Sequence, residues 1–473
     1  MSRAARLDKQ YLWHPFTQQA EWEKGDPLVV SRARGARFWD ERGRSFLDGV
    51  SSLWVTAHGH RHPALDRALK RQLGRVAHTT FLGLTHAPAA ELGKALIDLA
   101  PPGLHRVFYS DNGATAVEVA LKMAFQYWIH RGEHRRTEFL ALEGSYHGDT
   151  LGAVSVGGIA AFQKKFGPLL FKSHFVPAPH CFRCPSRNAP PAPELRTGDE
   201  PVPAPGRPGA RRAETGCRWE CLGAAEKIVQ KNSRRLAAAI VEPLVQGAAG
   251  MRVMPAGYLA GLARILKKNG VPLIADEVAT GFGRTGRMFA VEHEGVRPDF
   301  LCVAKALTGG YLPLAATLTG EKVYRAFLGR YEEFKTFFHG HSYTANPLAC
   351  AVALENLRVY RREDTLGKLR PKRRRLTEFL RGLAADPRVG HVRQMGFMAG
   401  VELVSDKKTN RSFPVSFRAG ARVGRAALAR GVWTRPLGDV LVVLPPLGVS
   451  MRDLNRVLGA LGAGIAGLGF VKK

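Results

Sequence analysis

The chain has 473 residues, 45% of them apolar, with six cysteines and 70 basic against 40 acidic side chains, a formal net charge of +30. That length and apolar content support a full core without disulfides or metals, and six cysteines are too few for a disulfide framework. No run reaches the roughly 20 apolar residues of a membrane span, and the basic start, Met1 to Arg6, lacks the apolar run of a signal peptide, so the expected location is the cytoplasm.

Residues 1–75 read as an irregular N-terminal segment with short strands, including a hairpin from Phe38-Trp39-Asp40 and Gly43 to Asp48. Residues 76–345 form the main body. In it, strand-like runs at Arg106–Tyr109, Glu138–Leu142, Leu236–Val241, Pro272–Ala275 and Phe300–Ala304 alternate with helical patterns. That alternation predicts an α/β domain with a mainly parallel sheet. Residues 346–473 read as a smaller α+β domain, with strands at Gly396–Leu403 and Val440–Leu444. Cys302 and Cys350 sit in apolar runs and read as buried thiols.

The basic residues are spread along the chain and are mostly arginine. Their densest run, Lys372 to Arg375, falls in a segment, Val359–Leu383, that reads as one amphipathic helix. No nucleic-acid motif accompanies it, so the expectation is a solvated basic surface and no specific nucleic-acid partner.

Residues 185–216 hold eight prolines and few large apolar side chains, which predicts a mobile surface insert. Cys181, Cys184, Cys217 and Cys221 flank it. Their spacing admits a zinc clip at the loop base, but four reduced thiols are the preferred reading and no metal is assigned.

Asp276 stands at the carboxyl end of the strand pattern Val271–Ala275, where ligands bind in open α/β sheets. Alone it is a functional carboxylate or a turn cap. Lys305 follows a second buried strand and precedes a Gly-ended turn, Ala306 to Gly310. Desolvation there lowers a lysine's pKa and favours the neutral amine that forms a Schiff base. The two together fit pyridoxal phosphate, which needs a lysine for its imine and a carboxylate for its ring nitrogen. A phosphate site is available in Ser110 to Thr115, a Gly-containing turn between the strand Val107–Tyr109 and a helical pattern, Ala116–Trp128.

The run Asp276-Glu277-Val278-Ala279-Thr280-Gly281-Phe282-Gly283-Arg284-Thr285-Gly286, with Lys305 behind it, resembles the signature of the class III, fold type I aminotransferases. The finer likeness is to the biotin-pathway branch of that family. It rests on Leu12 to Thr17, Asp48 to Trp54, Thr85 to Ala89, Gly144 to Thr150, Glu242 to Ala248, His339 to Ser342 and Thr434 to Gly438. The resemblance implies a fold type I transferase whose small domain is built from both chain ends, acting as a homodimer with shared active sites.

It also implies roles. Lys305 carries the cofactor and shuttles the proton, Asp276 pairs with the ring nitrogen, and Tyr146 and Val278 cover the two ring faces. Gly113 and Ala114 supply phosphate-binding amides, and Ser342 reaches the phosphate of the partner subunit. Family members often have a serine where this chain has Ala114, so a side-chain contact is lost there while the amide remains. Arg435 holds the substrate carboxylate, and Phe16, Leu53, Trp54, Tyr146 and Gly340 line the substrate path. The implied acceptor is 8-amino-7-oxononanoate.

The chain departs from the family's best-known members, which use S-adenosylmethionine as amino donor and carry a tyrosine at Phe16 and a tryptophan at Leu53. Phe16 and the run Lys335 to Thr344 look more like the branch that uses lysine. The rival readings are another class III ω-aminotransferase and a basic nucleic-acid-binding protein on an enzyme fold. Intact Lys305, Asp276 and Arg284 speak against the second.

Overall fold

The computed structural model describes residues 1–185, 193–200 and 219–469. The chain begins with two short helices, α1 (Arg3–Tyr11) and α2 (Gln19–Lys24), and an antiparallel meander, β1 (Val30–Arg34), β2 (Arg37–Asp40) and β3 (Ser45–Asp48). The expected hairpin is β2–β3, with Phe38 opposite Phe46 and their rings stacked 5.5 Å apart.

After α3 (Ala87–Leu99), strands and helices alternate. They are β4 (Arg106–Ser110), α4 (Gly113–His130), β5 (Glu138–Leu142), β6 (Ser173–Val176), β7 (Glu194–Arg196), α5 (Glu220–Asn232), β8 (Leu236–Val241), α6 (Tyr258–Lys268), β9 (Leu273–Asp276), β10 (Phe300–Val303) and β11 (Ala315–Thr319). All of these strands except β7 build a seven-stranded sheet, in the order β4-β11-β10-β9-β8-β5-β6. Only β11 runs against its neighbours. Every residue of β8, β9, β10 and β11 is buried, as both faces of the sheet are covered. Cys302 and Cys350 are fully buried.

The rest of the chain comprises α7 (Pro347–Arg362), α8 (Thr365–Leu383), β12 (Val389–Met395), β13 (Met398–Leu403), α9 (Ala419–Ala429), β14 (Val432–Trp433), β15 (Val440–Val443) and α10 (Met451–Ala466). β14 pairs in parallel with β3, joining the two ends of the chain in one sheet.

Three expectations are corrected. The single helix over Val359–Leu383 is two helices, because Asp364 takes a left-handed backbone (φ +46°) and its side chain caps α8 by accepting from the Gly367 amide. The Lys372–Arg375 run is not wholly solvated. Arg373 is buried with its Nη2 2.6 Å from Asp199, and Lys372 donates to the Leu447 carbonyl, burial pulling its amine down to about 8. Nor is the insert wholly a surface loop, since β7 adds in parallel to β12 at the edge of the sheet β15-β13-β12-β7. Most of residues 185–216, and Cys217, lie outside the described residues. Among the described residues no group of three or more His, Cys, Asp and Glu side chains could hold a metal, and no helix is long and apolar enough to cross a membrane.

Candidate active site

Six of the seven strands point the same way, so the turns at their carboxyl ends open on one side of the sheet. The turns after β4, β5, β8, β9 and β10 place Asn112, Gly113, Ala114, Tyr146, His147, Glu242, Asp276, Val278 and Lys305 around one cleft of about 470 Å³, with Trp54 closing it. Asp276, Lys305, Tyr146, Gly113, Ala114, Val278 and Trp54, which lie far apart in sequence, are thus brought together.

Lys305 follows Ala304 at the end of β10 with a left-handed backbone (φ +49°), a conformation disfavoured for a non-glycine residue and sustained by its packed surroundings. Its Nζ lies 5.1 Å from the centre of the Trp54 ring. Burial lowers the amine's pKa, the charges of Asp276 and Glu242 oppose that shift, and Arg284 adds to it. Trp54 is held by a kinked turn in which Ser51, Ser52 and Trp54 all have positive φ. That kink turns Trp54 inward and leaves Leu53 exposed.

Both oxygens of Asp276 are engaged. Oδ1 accepts from the Val278 amide at 3.0 Å, and Oδ2 lies 2.7 Å from His147 Nδ1. Next to it, Glu242 accepts from the amides of Tyr146 (2.9 Å) and Gly247 (2.8 Å). Burial pushes its carboxyl up to about 7; His147 pulls it back and Asp276 adds to the rise. Glu277 faces away, accepting from the Ala290 and Val291 amides, and burial lifts it to about 8.

The turn expected to take a phosphate is the start of α4. Asn112 caps the helix in a reciprocal box with Thr115, and the amides of Gly113 and Ala114 form the helix's first, positively polarised turn. The packing there is tight: a Cβ on Gly113 would fall 2.5 Å from Val278 Cγ1, and one on Gly148 (φ +126°) 2.3 Å from Ala114 Cβ. A lysine amine of lowered pKa, a doubly anchored carboxylate and an 18-residue helix aimed at the same cleft are the donor set that pyridoxal phosphate requires.

The other sequence-derived residues lie outside the cleft. Phe16 stands beyond Tyr146, with Phe162 between them: the Phe162 ring is 6.0 Å from Tyr146 and 5.4 Å from Phe16. The Arg435 guanidinium lies 5.8 Å from the Phe16 ring centre. Gly340 and Ser342 are exposed, in a segment tied to α4 by a 3.0 Å contact between Lys122 and His339.

Sequence reasoning assigned no role to His147, Glu242 or Phe162. Glu242 was findable, because it directly follows β8 much as Asp276 closes β9. His147 adjoins Tyr146 in a glycine-flanked motif, a weaker signal. Nothing in the sequence marks Phe162.

Fold and cleft together define a pyridoxal-phosphate-dependent transferase, and the class III aminotransferase family model matches residues 18–465, so the chain belongs to that family. An adenosylmethionine-8-amino-7-oxononanoate aminotransferase of Nitratidesulfovibrio vulgaris is 50% identical over 464 residues, covering 97% of this chain and 81% of its own length. The crystal structure of the enzyme of that name from Methanocaldococcus jannaschii superposes with a TM-score of 0.89 at 38% identity, covering 98% of this chain and 99% of its own. An amine transaminase from an uncultivated Pseudomonas species, solved with pyridoxal phosphate bound, gives a TM-score of 0.87 at 35% identity, covering 97% of this chain and 99% of its own.

Proposed function

We propose that this chain moves an amino group from lysine or S-adenosylmethionine to the ketone of 8-amino-7-oxononanoate, giving 7,8-diaminononanoate for biotin biosynthesis. One observation carries the reading: from the cleft of Lys305 and Asp276, a file of rings (Tyr146, Phe162, Phe16) extends to Arg435. An apolar path ending in a guanidinium suits a long-chain acid whose ketone must reach the lysine and whose carboxylate needs a partner. The name shared by the Nitratidesulfovibrio and Methanocaldococcus proteins supports the same acceptor.

Bound in the cleft, pyridoxal phosphate supplies the electron sink that lets a proton leave the carbon bearing the amine. Lys305 would hold the cofactor and, once displaced by the donor, take that proton at Nζ and return it elsewhere. Its lowered pKa keeps the neutral, accepting amine populated. Asp276 would keep the ring nitrogen protonated, and its two anchors stop the carboxylate from rotating away. The Gly113 and Ala114 amides would hold the phosphate, joined by Ser342 from the other subunit of a homodimer. Tyr146 and Val278 would cover the ring faces. Arg435 would take the substrate carboxylate, and Phe16, Leu53, Trp54 and Gly340 would shape the path to it.

The exposed Leu82, Phe338 and Tyr343 are in keeping with a covered homodimer face near Ser342. Residues 1–75 and 346–473 would form the small domain against the body at 76–345, as the β3–β14 pairing suggests, and the enzyme would act in the cytoplasm.

The donor is tested by mixing cofactor-loaded protein with lysine or S-adenosylmethionine alone and following the cofactor's visible absorbance. The true donor bleaches the band, and adding 8-amino-7-oxononanoate restores it; failure of the keto acid to restore it would sink the reading. Lys305→Ala should leave no covalent cofactor after borohydride reduction, by intact mass, and lower turnover by about 100-fold or more.

A further inference from the structure

Residues 12–18, which carry Phe16, have no regular secondary structure, and the helices on either side do little to place them. α1 buries only Ala5, and α2 buries no residue. Beneath them lies a cavity of about 590 Å³ lined by Leu7, Tyr11, Trp22 and Leu28 among others. Apolar packing therefore contributes little to the loop's position. Phe16 itself has a left-handed backbone (φ +50°), which a side chain adopts only when its surroundings impose it.

The constraint is polar and converges on Asp8. Its Oδ2 lies 2.9 Å from His14 Nε2, and its Oδ1 accepts from Trp22 Nε1 at 2.9 Å. The His14 and Trp22 rings then pack with centroids 4.1 Å apart. One carboxylate thus bridges α1, the loop and α2. Gln19 adds a second tie within the loop, donating to the carbonyls of His14 (3.0 Å) and Thr17 (3.2 Å). Lys9 donates to the Glu23 carbonyl at 2.7 Å, closing α1 onto the end of α2. The ion pair of Glu21, on α2, with Arg418 in the C-terminal part of the chain joins two exposed side chains and contributes little.

We propose that Asp8 is a positioning residue for substrate recognition: by clamping His14 and Trp22 it sets Phe16 against Phe162 and Arg435, and so shapes the far end of the path for a long-chain keto acid. The inference rests on the acceptor proposed above and deepens it. Asp8 touches neither substrate nor cofactor and acts through Phe16 alone.

The test is a double-mutant cycle in the cofactor-loaded enzyme. Asp8→Ala should raise KM for 8-amino-7-oxononanoate about tenfold while kcat stays within about twofold, because the loop that carries Phe16 loses its polar anchor. In a Phe16→Ala background, the further change Asp8→Ala should have no added effect beyond about twofold. Asp8→Asn, which keeps shape and one acceptor, should fall between wild type and Asp8→Ala. An unchanged KM in Asp8→Ala overturns the proposal, and so do effects of Asp8→Ala and Phe16→Ala that multiply. A readout independent of catalysis is tryptic cleavage after Lys9 or Lys24, which should be faster in Asp8→Ala; an unchanged rate means that Asp8 is no clamp. If wild type fails to turn over the keto acid, the functional reading falls, and the proteolysis still decides whether Asp8 holds the segment.

Discussion

His147 holds Asp276: its Nδ1 lies 2.7 Å from the carboxylate's Oδ2, and both side chains are almost wholly shielded from solvent. With the Val278 amide on Oδ1, the carboxylate has one orientation. In the role proposed for Asp276, a carboxylate that pairs with a ring nitrogen gains from being fixed before the ring arrives.

Removing the imidazole leaves a buried carboxylate oxygen short of a partner, which costs about 1.5–3 kcal/mol when the lost bond is to a charged group. His147→Ala should therefore weaken pyridoxal phosphate binding by roughly 10- to 100-fold. Absorbance titration of the apoprotein measures this, and an unchanged affinity would show that Asp276 needs no such support.

Glu242 gives stability a pH dependence whose sign is set by its raised pKa. In the unfolded chain the group titrates near its ordinary 4.5; buried in the fold it titrates at about 7. Between those values the folded protein keeps a proton that the unfolded chain releases, so stability falls as pH rises through this window and is flat with respect to this group on either side. Glu242→Gln removes the titration. The urea midpoint of wild type should therefore drop relative to that of the variant between about pH 4.5 and pH 7. Glu277, raised to about 8, is present in both proteins and cancels in the comparison. Parallel midpoints across the window would refute the assignment.

Arg435 is half-buried against Phe16, where a guanidinium is partly desolvated and a bound carboxylate would gain accordingly. Arg435→Ala should lower kcat/KM for the keto acid by about 30-fold or more, on the order of the 2–5 kcal/mol lost when one member of a buried charge pair is cut. Arg435→Lys should recover only part of that, because an ammonium lacks the two-pronged geometry. Steady-state kinetics with the keto acid as varied substrate decides it, and a full recovery by lysine would argue against a bidentate contact.

Asp199, in the described part of the insert, faces the buried Arg373 at 2.6 Å and is itself about one-third exposed (35%). Asp199→Asn should lower stability by roughly 1–3 kcal/mol, less than the cost of breaking a fully buried pair because solvent reaches the acid. Urea unfolding of the apoprotein measures the loss. No loss would mean that this ion pair does not hold the insert's strand in place.

Much of this protein was legible in its sequence because periodicity and strand ends are local. Glu138–Leu142 and Leu236–Val241 form strands with the boundaries their apolar runs predict, and Asp276 and Lys305 stand where the carboxyl-end rule puts functional groups. What escaped is decided by long-range pairing. The reversed strand β11, the capture of Glu194–Arg196 by β12 and the burial of Arg373 depend on partners far away in the chain, which no window of neighbours reveals.

By itself, then, the sequence determined the alternation of strands and helices, the placing of Asp276 and Lys305 at strand ends and the family, since each is written in short runs of residue types whose chemistry is local. Only the tertiary structure decided that His147 and Glu242 belong to the same cleft, that Trp54 faces inward while Leu53 faces out, and that Phe162 bridges Tyr146 and Phe16. Those relations are distances across the fold, set when parallel strands bring their carboxyl ends together and a kinked backbone chooses which side chain points in.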